Sequence, residues 1–330
     1  MAFNIGADTV ISNVRQLSNI ASLDATTTAT ISAALPGSGN FSATLLYTLD
    51  NPNVYISTVT DDQFGAYVAS DGKYLAISSQ KEDFGAASSG TVYVYNMLTG
   101  KLIHIFNNPA PVASDVFGTA IDISGNWLLV GAPGDDGTGS GSGIAFIFNI
   151  STGALHKTLN NPNAYSTSAD DGFGNSVAIS GNYAIVGARD EDDAGGTSSG
   201  KAYIFNTTTG TLLATLNNPN AYGTSASDQF GNACSISGNY AIVGAWLEDE
   251  DGQTSSGKAY VYKTTNGLWT DTTLYRTISN PNAYSTVLND GFAYKVGISG
   301  SYAAIGATWE DDANGLGSGK AYIFNVITGT

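Results

Sequence analysis

One string of residues recurs along the chain and limits what it can fold into. Residues 173–222 read FGNSVAISGNYAIVGARDEDDAGGTSSGKAYIFNTTTGTLLATLNNPNAY, and close variants fill most of the rest. The phenylalanine that opens each unit stands at Phe64, Phe117, Phe173, Phe230 and Phe292, with spacings of 53, 56, 57 and 62 residues. An Asn-Pro pair recurs in step, at Pro52, Pro109, Pro162, Pro219 and Pro281. A near-fixed period of this size marks a repeat architecture, because each unit can bury its apolar face only against its neighbours.

Within the unit from Phe173, four short strands are predicted. Residues 176–180 alternate in polarity, Gly181-Asn182 is a tight-turn signal, and the near-continuous apolar run 183–188 reads as a strand buried on both faces. An acid- and glycine-rich loop, 189–200, leads to a third strand at 201–206 and, past a second turn, a fourth at 211–216. Four antiparallel strands per unit, repeated about an axis, make the blades of a β-propeller. The 40 glycines, 18 tyrosines and 13 phenylalanines are strand-and-turn composition. The predicted fold is therefore all-β: a five-bladed propeller of four-stranded antiparallel blades over residues 41–330.

The pair Phe-Gly followed by Gly-Ala-Pro carries a family resemblance. Unit two has it complete, as Phe117-Gly118 and Gly131-Ala132-Pro133. Units three to five keep Gly-Ala but have Arg189, Trp246 or Thr308 for the proline; unit five has Phe292-Ala293, and unit one has Ile77-Ser78 where Gly-Ala falls. Residues 45–330 thus resemble the FG-GAP repeat, the propeller repeat of integrin α chains and of bacterial and phage surface proteins. That family's calcium loop, Asp-x-Asp-x-Asp-Gly between the first two strands, does not carry over. The hairpin here is Ser-Gly-Asn, Ser299-Gly300-Ser301 or Asp71-Gly72, without alternating oxygen ligands.

The last unit stops at Thr328-Gly329-Thr330, where its neighbours continue into a fourth strand. The missing text stands instead at Leu45-Leu46-Tyr47-Thr48-Leu49, in register, just before Asn51-Pro52. An N-terminal strand is thus predicted to complete the last blade and close the ring, in a chain ending near Thr330; donation by a neighbouring chain is the alternative. Closure removes the open sheet edges that template aggregation.

Residues 1–40 stand outside the repeat as an attachment and oligomerisation arm with a Pro36-Gly37-Ser38-Gly39 linker. Its apolar residues, Ile11, Val14, Leu17, Ile20 and Leu23, recur every three, which suits neither a clean helix nor a clean strand. The wording of residues 9–28, TVISNVRQLSNIASLDATTT, resembles stalk and attachment segments of bacteriophage tail-fibre and other virion proteins. That resemblance implies a trimeric arm that contacts other virion proteins. MAFNIGADTV has neither a basic nor an apolar leader region, so no signal peptide is read.

The net charge of −16 disfavours nucleic acid and anionic membrane surfaces as partners. Cys234, the single cysteine, reads as a small buried apolar residue. Strand order places 22 of the 28 acids in the second-to-third loops and the crossovers, on one face. Among them Asp190, Asp192, Asp193, Asp249, Asp251, Asp311 and Asp312 are candidate Ca²⁺ ligands; solvated loops with Asx-turns are the plainer alternative. Asp62, Asp115, Asp171, Asp228 and Asp290, each two residues before its phenylalanine, read as a repeated structural hydrogen bond that could also ring the axis. Trp269 lies in a hairpin insertion of unit four and is expected to be exposed, as a contact for sugar or protein, or else folded back on its own hairpin.

His104 and His156 are non-equivalent and lack a nucleophile pattern, and no HExxH, P-loop or dinucleotide fingerprint is present. The expectation is a non-enzymatic phage virion protein of tail-fibre or knob type. It is expected on the virion surface, as a homo-oligomer, with a host-surface glycan or protein as partner. A secreted or surface bacterial adhesion module with a Ca²⁺-stabilised propeller is the alternative; a polysaccharide-cleaving tailspike ranks third.

Overall fold

The computed structural model describes residues 3–5, 8–11, 45–52, 61–162, 170–192, 196–219, 227–249, 254–281, 289–311 and 315–329. Two compact units divide the chain, 1–48 and 49–330. In the first, β1 (Phe3–Ile5) pairs antiparallel with β2 (Asp8–Ile11), a hairpin that the threefold apolar spacing did not announce. The remainder of the predicted arm, residues 12–40, lies outside the described residues.

The second unit holds five antiparallel sheets in sequence order. Sheet one is β3 (Phe64–Ser70), β4 (Tyr74–Ser79), β5 (Thr91–Asn96) and β6 (Leu102–Asn107). Sheet two is β7 (Ala120–Ser124), β8 (Trp127–Ala132), β9 (Ile144–Asn149) and β10 (Ala154–Asn160). Sheet three is β11 (Phe173–Ser180), β12 (Tyr183–Ala188), β13 (Lys201–Asn206) and β14 (Leu212–Asn217). Sheet four is β15 (Phe230–Ser237), β16 (Tyr240–Ala245), β17 (Lys258–Lys263) and β18 (Thr273–Ser279). Sheet five has three strands, β19 (Phe292–Ser299), β20 (Tyr302–Ala307) and β21 (Lys320–Asn325). Among the described residues no helix is long and apolar enough to cross a membrane.

The strand boundaries follow local chemistry. Gly125, Gly181, Gly238 and Gly300 take positive φ in the first hairpins, where a side chain would be strained. In the third-to-fourth turn of sheet three, Asn206 Oδ1 accepts from the N–H groups of Thr208 and Thr209, an Asx-turn that Asn96, Asn149 and Asn325 repeat. Sheet four has Lys263 instead, and its longer hairpin is held by Asp271, which accepts from Thr264, Thr265 and Asn266.

First strands of consecutive sheets lie side by side, β3 by β7, β7 by β11, β11 by β15 and β15 by β19. The apolar core is a series of junctions. Phe173, Val177, Val186 and Phe205 of sheet three pack on Leu129, Ile147 and Leu159 of sheet two, and each later junction repeats the set.

The FG and GA pairs have a physical cause at these junctions. A Cβ on Gly131, Gly187 or Gly244 would strike the carbonyl oxygen of Gly174, Gly231 or Ala293 in the next sheet. A Cβ on Gly90, Gly143, Gly200 or Gly257 would strike the carbonyl oxygen of the next sheet's opening phenylalanine. The Phe-Gly step is itself a bulge in sheets three and four, with Gly174 and Gly231 at φ of 94° and 91°. Ala293 takes the left-handed region in sheet five, where the other sheets use glycine.

Closure of the ring by the predicted strand is not shown. Residues 45–50 hold no strand and sheet five keeps three. Its outer face is bare: Ile323 is 77% exposed, while the equivalent Ile204 is fully buried. Sheet one is bare on the opposite side, with Val68 63% exposed. Leu49 nevertheless packs with Phe64, Ile77, Tyr93 and Tyr95 of sheet one, as Leu159 packs on sheet three.

Candidate functional site

The second-to-third loops and the crossovers share one face, as strand order requires. Ser227 N–H donates to Thr197 O and Asn289 N–H to Thr254 O, so each loop is tied to the crossover into the next sheet. The acids there do not form the surface expected of them. Among the described residues, ten of these acids are buried, in two repeated sets.

The first set is the recurrent aspartate. Asn51, Asn108, Asn161, Asn218 and Asn280 each donate a side-chain N–H to Asp62, Asp115, Asp171, Asp228 and Asp290 at 2.7–3.0 Å. Each aspartate's carbonyl also accepts an N–H of its own sheet's loop, from Lys81, Gly134, Asp190, Leu247 and Trp309. The repeated structural hydrogen bond is therefore present five times, each carboxylate with its own asparagine.

The second set escaped sequence reading. Glu82, Glu191, Glu248 and Glu310 are buried and accept the phenol hydrogens of Tyr93, Tyr203, Tyr260 and Tyr322 at 2.5–2.6 Å. In sheets three to five a lysine joins them: Lys201 to Glu191 at 2.6 Å, Lys258 to Glu248 at 3.1 Å, Lys320 to Glu310 at 2.6 Å. Sheet two has Phe146 for the tyrosine and the shorter Asp135 for the glutamate, and Asp135 takes Asn108 instead. That paired change within one chain was the available signal.

Burial pushes Glu248 up to about 7, with Tyr260 and Lys258 pulling the other way, and moves Glu191 and Glu82 in the same direction. Burial likewise raises Asp115 and Asp122 to about 6. Asp122 accepts the Ile179 N–H across a junction. The folded values lie above the unfolded ones, so the folded chain binds more protons between them. Stability from these groups is full below the ordinary carboxylate range and falls as pH rises through about 6–7. The melting temperature is expected to be higher at about pH 5 than at about pH 8, by roughly 5 °C or more. Asp122→Asn, which keeps an acceptor for Ile179, should raise stability at the higher pH and flatten the slope.

The four described candidate calcium ligands are placed singly. Asp192, Asp249 and Asp311 accept the N–H groups of Ser198, Ser255 and Gly317, a loop-internal bond that Asp83 and Asp136 repeat. Asp190 pairs with Arg189 and accepts from Gln229 at 2.8 Å. Asp193, Asp251 and Asp312 lie outside the described residues. Among the described residues no three His, Cys, Asp or Glu side chains meet as a metal cluster.

Trp269 is not exposed. Its ring is fully buried with Tyr262 and Leu216 at the junction of sheets three and four, because the inserted turn folds inward. Burial removes it as a surface contact. His156 stacks on Trp127 with ring centres 4.4 Å apart, and its Nε2 lies 3.1 Å from Thr208 O. Cys234 is buried.

Aromatic surface occurs elsewhere. Trp246, Tyr294 and Trp309 contact one another at ring-centre distances of 5.2–5.3 Å. Trp246 and Trp309 border a groove of about 430 Å³ between sheets four and five, with Ser255, Asn289, Asp311 and Leu316 on its walls. Trp246 and Trp309 were seen in the sequence only as departures from the repeat or not at all.

The FG-GAP repeat matches residues 111–148, 164–205, 220–262 and 285–324. Each match runs from a crossover through the first three strands of sheets two to five. No curated protein matches the chain.

Proposed function

The chain carries four FG-GAP repeats within five like sheets, and from that premise we propose a closed five-bladed propeller that works by binding rather than catalysis. Residues 45–49 supply the fourth strand of the last blade, and the bare face of sheet five meets the bare face of sheet one. One observation carries this: both sides of the absent junction keep the glycines of the formed junctions, and Gly306 keeps its glycine without a left-handed backbone to require it. Gly65 has φ of 90° with nothing within 4 Å of a Cβ, and a Cβ on Gly306 would approach only Lys295 O of its own sheet, at 3.7 Å. Leu49 and the Asn51–Asp62 bond already occupy the places that a preceding blade fills on sheets two to five.

The arm, residues 1–40, attaches this propeller to a phage particle as a tail fibre or knob. It acts as a homo-oligomer, with a trimer favoured, and leaves the propeller on the virion surface to contact a host-surface component. The likeness of residues 9–28 to virion attachment segments supports this part. Light scattering on the full chain and on a chain begun at residue 41 tests it. The expected result is an oligomer for the first and a monomer for the second; two monomers would remove the arm's role.

A further inference from the structure

We infer that the groove bordered by Trp246 and Trp309 binds a neutral hexopyranose unit of a glycan. The inference rests on the binding-module reading and names the ligand class and the place.

The repeat serves as an internal control. At the position of Trp246 the other sheets carry Gln80, Pro133, Arg189 and Thr308. At that of Trp309 they carry Lys81, Gly134, Asp190 and Leu247. Tyr294 replaces Ala66, Thr119, Asn175 and Asn232. Sheets one to three thus form without aromatic residues at any of these places, and the blade does not need them. Three rings gathered at one junction are a local departure from the repeat.

The departure also leaves apolar surface in water. Trp309 is 44% exposed and Leu316, on the same groove, is 90% exposed. Such surface, rimmed by polar groups, marks a contact site. The rings are held in place: Trp246 Nε1 donates to Gln229 Oε1 at 2.8 Å, and Trp309 lies against Trp246 and Tyr294.

The walls select the ligand. A pyranose ring has a face of C–H groups and a rim of hydroxyls. An exposed indole matches the face, and the carboxylate, amide and hydroxyl of Asp311, Asn289 and Ser255 match the rim. Asp311 is fixed by its bond from the Gly317 N–H at 2.7 Å. The volume lies in the range of about 300–1,000 Å³ usual for small-molecule sites. An anionic sugar would meet Asp311 and a net charge of −16, which disfavours acidic glycans against neutral ones.

The test uses the full chain on an array of neutral and acidic glycans. Titration of the best binder into wild type, Trp309→Ala, Trp309→Phe and Trp127→Phe follows, each checked for an unchanged melting temperature. The expected result is binding of neutral glycans, weakened at least tenfold in Trp309→Ala and largely kept in Trp309→Phe and Trp127→Phe. Glycan binding unchanged in Trp309→Ala would overturn the site and leave the binding module standing. Binding confined to acidic glycans, or none to any glycan, would overturn the ligand class; adsorption of the chain to whole cells then decides the broader reading separately.

Discussion

Replacing Gly200 by alanine is expected to cost about 3–4 kcal/mol of unfolding free energy, read from the urea midpoint at unchanged slope. Two costs add. Gly200 has φ of 80°, a left-handed backbone that an alanine enters at about 1–2 kcal/mol. The new methyl would also collide with the carbonyl oxygen of Phe230 in the next sheet, and backbone cannot step aside as a side chain does. Overpacking of this kind costs about 1–3 kcal/mol. Gly125→Ala is the comparison. Its φ of 60° carries the same strain, but nothing lies within 4 Å of its Cβ, so only the first cost should appear.

Glu248→Ala is the second large effect, about 3–5 kcal/mol, the usual cost of deleting one partner of a buried ion pair. The carboxylate is fully buried and serves both Tyr260, through 2.6 and 2.7 Å bonds, and Lys258, itself 4% exposed. The next residue, Asp249, is exposed and accepts one backbone N–H from Ser255, so Asp249→Ala should cost about 1 kcal/mol. Adjacent acids of one loop are thus expected to differ severalfold. A loop in which both were solvated would give two small values of similar size.

Much of the fold was legible because repetition makes errors visible. Strands predicted at 183–188 and 201–206 are found at those bounds, and the fourth shifts by one residue to Leu212–Asn217. Hairpin glycines and apolar alternation are local signals, and five copies average out noise. The acids were the weak point. Strand order gives the face on which a carboxylate emerges, but not whether it turns inward. Glu191 and Asp192 are neighbours in one loop, yet one is buried beneath Tyr203 and the other caps Ser198. For Trp269 the sequence left both an exposed and a folded-back ring open, and the structure takes the second: an insertion has no sister copies, so nothing in the repeat says which way it folds. The aromatic groove was hidden because it depends on residues from two units meeting at one junction, Trp246 from the fourth and Tyr294 and Trp309 from the fifth.

The reading of FG and GA as junction residues, in a ring that closes, is most directly tested at Gly306. This glycine lies in β20 without left-handed strain, and only its own sheet approaches it. Gly187 is its counterpart at a formed junction, where a Cβ would strike Gly231 O. Urea denaturation of Gly306→Ala and Gly187→Ala, side by side, gives the answer. In a closed ring both substitutions cost about 2–3 kcal/mol, because sheet one covers Gly306 as sheet four covers Gly187. If Gly306→Ala is neutral or stabilising while Gly187→Ala is costly, sheet five ends the array with its face open.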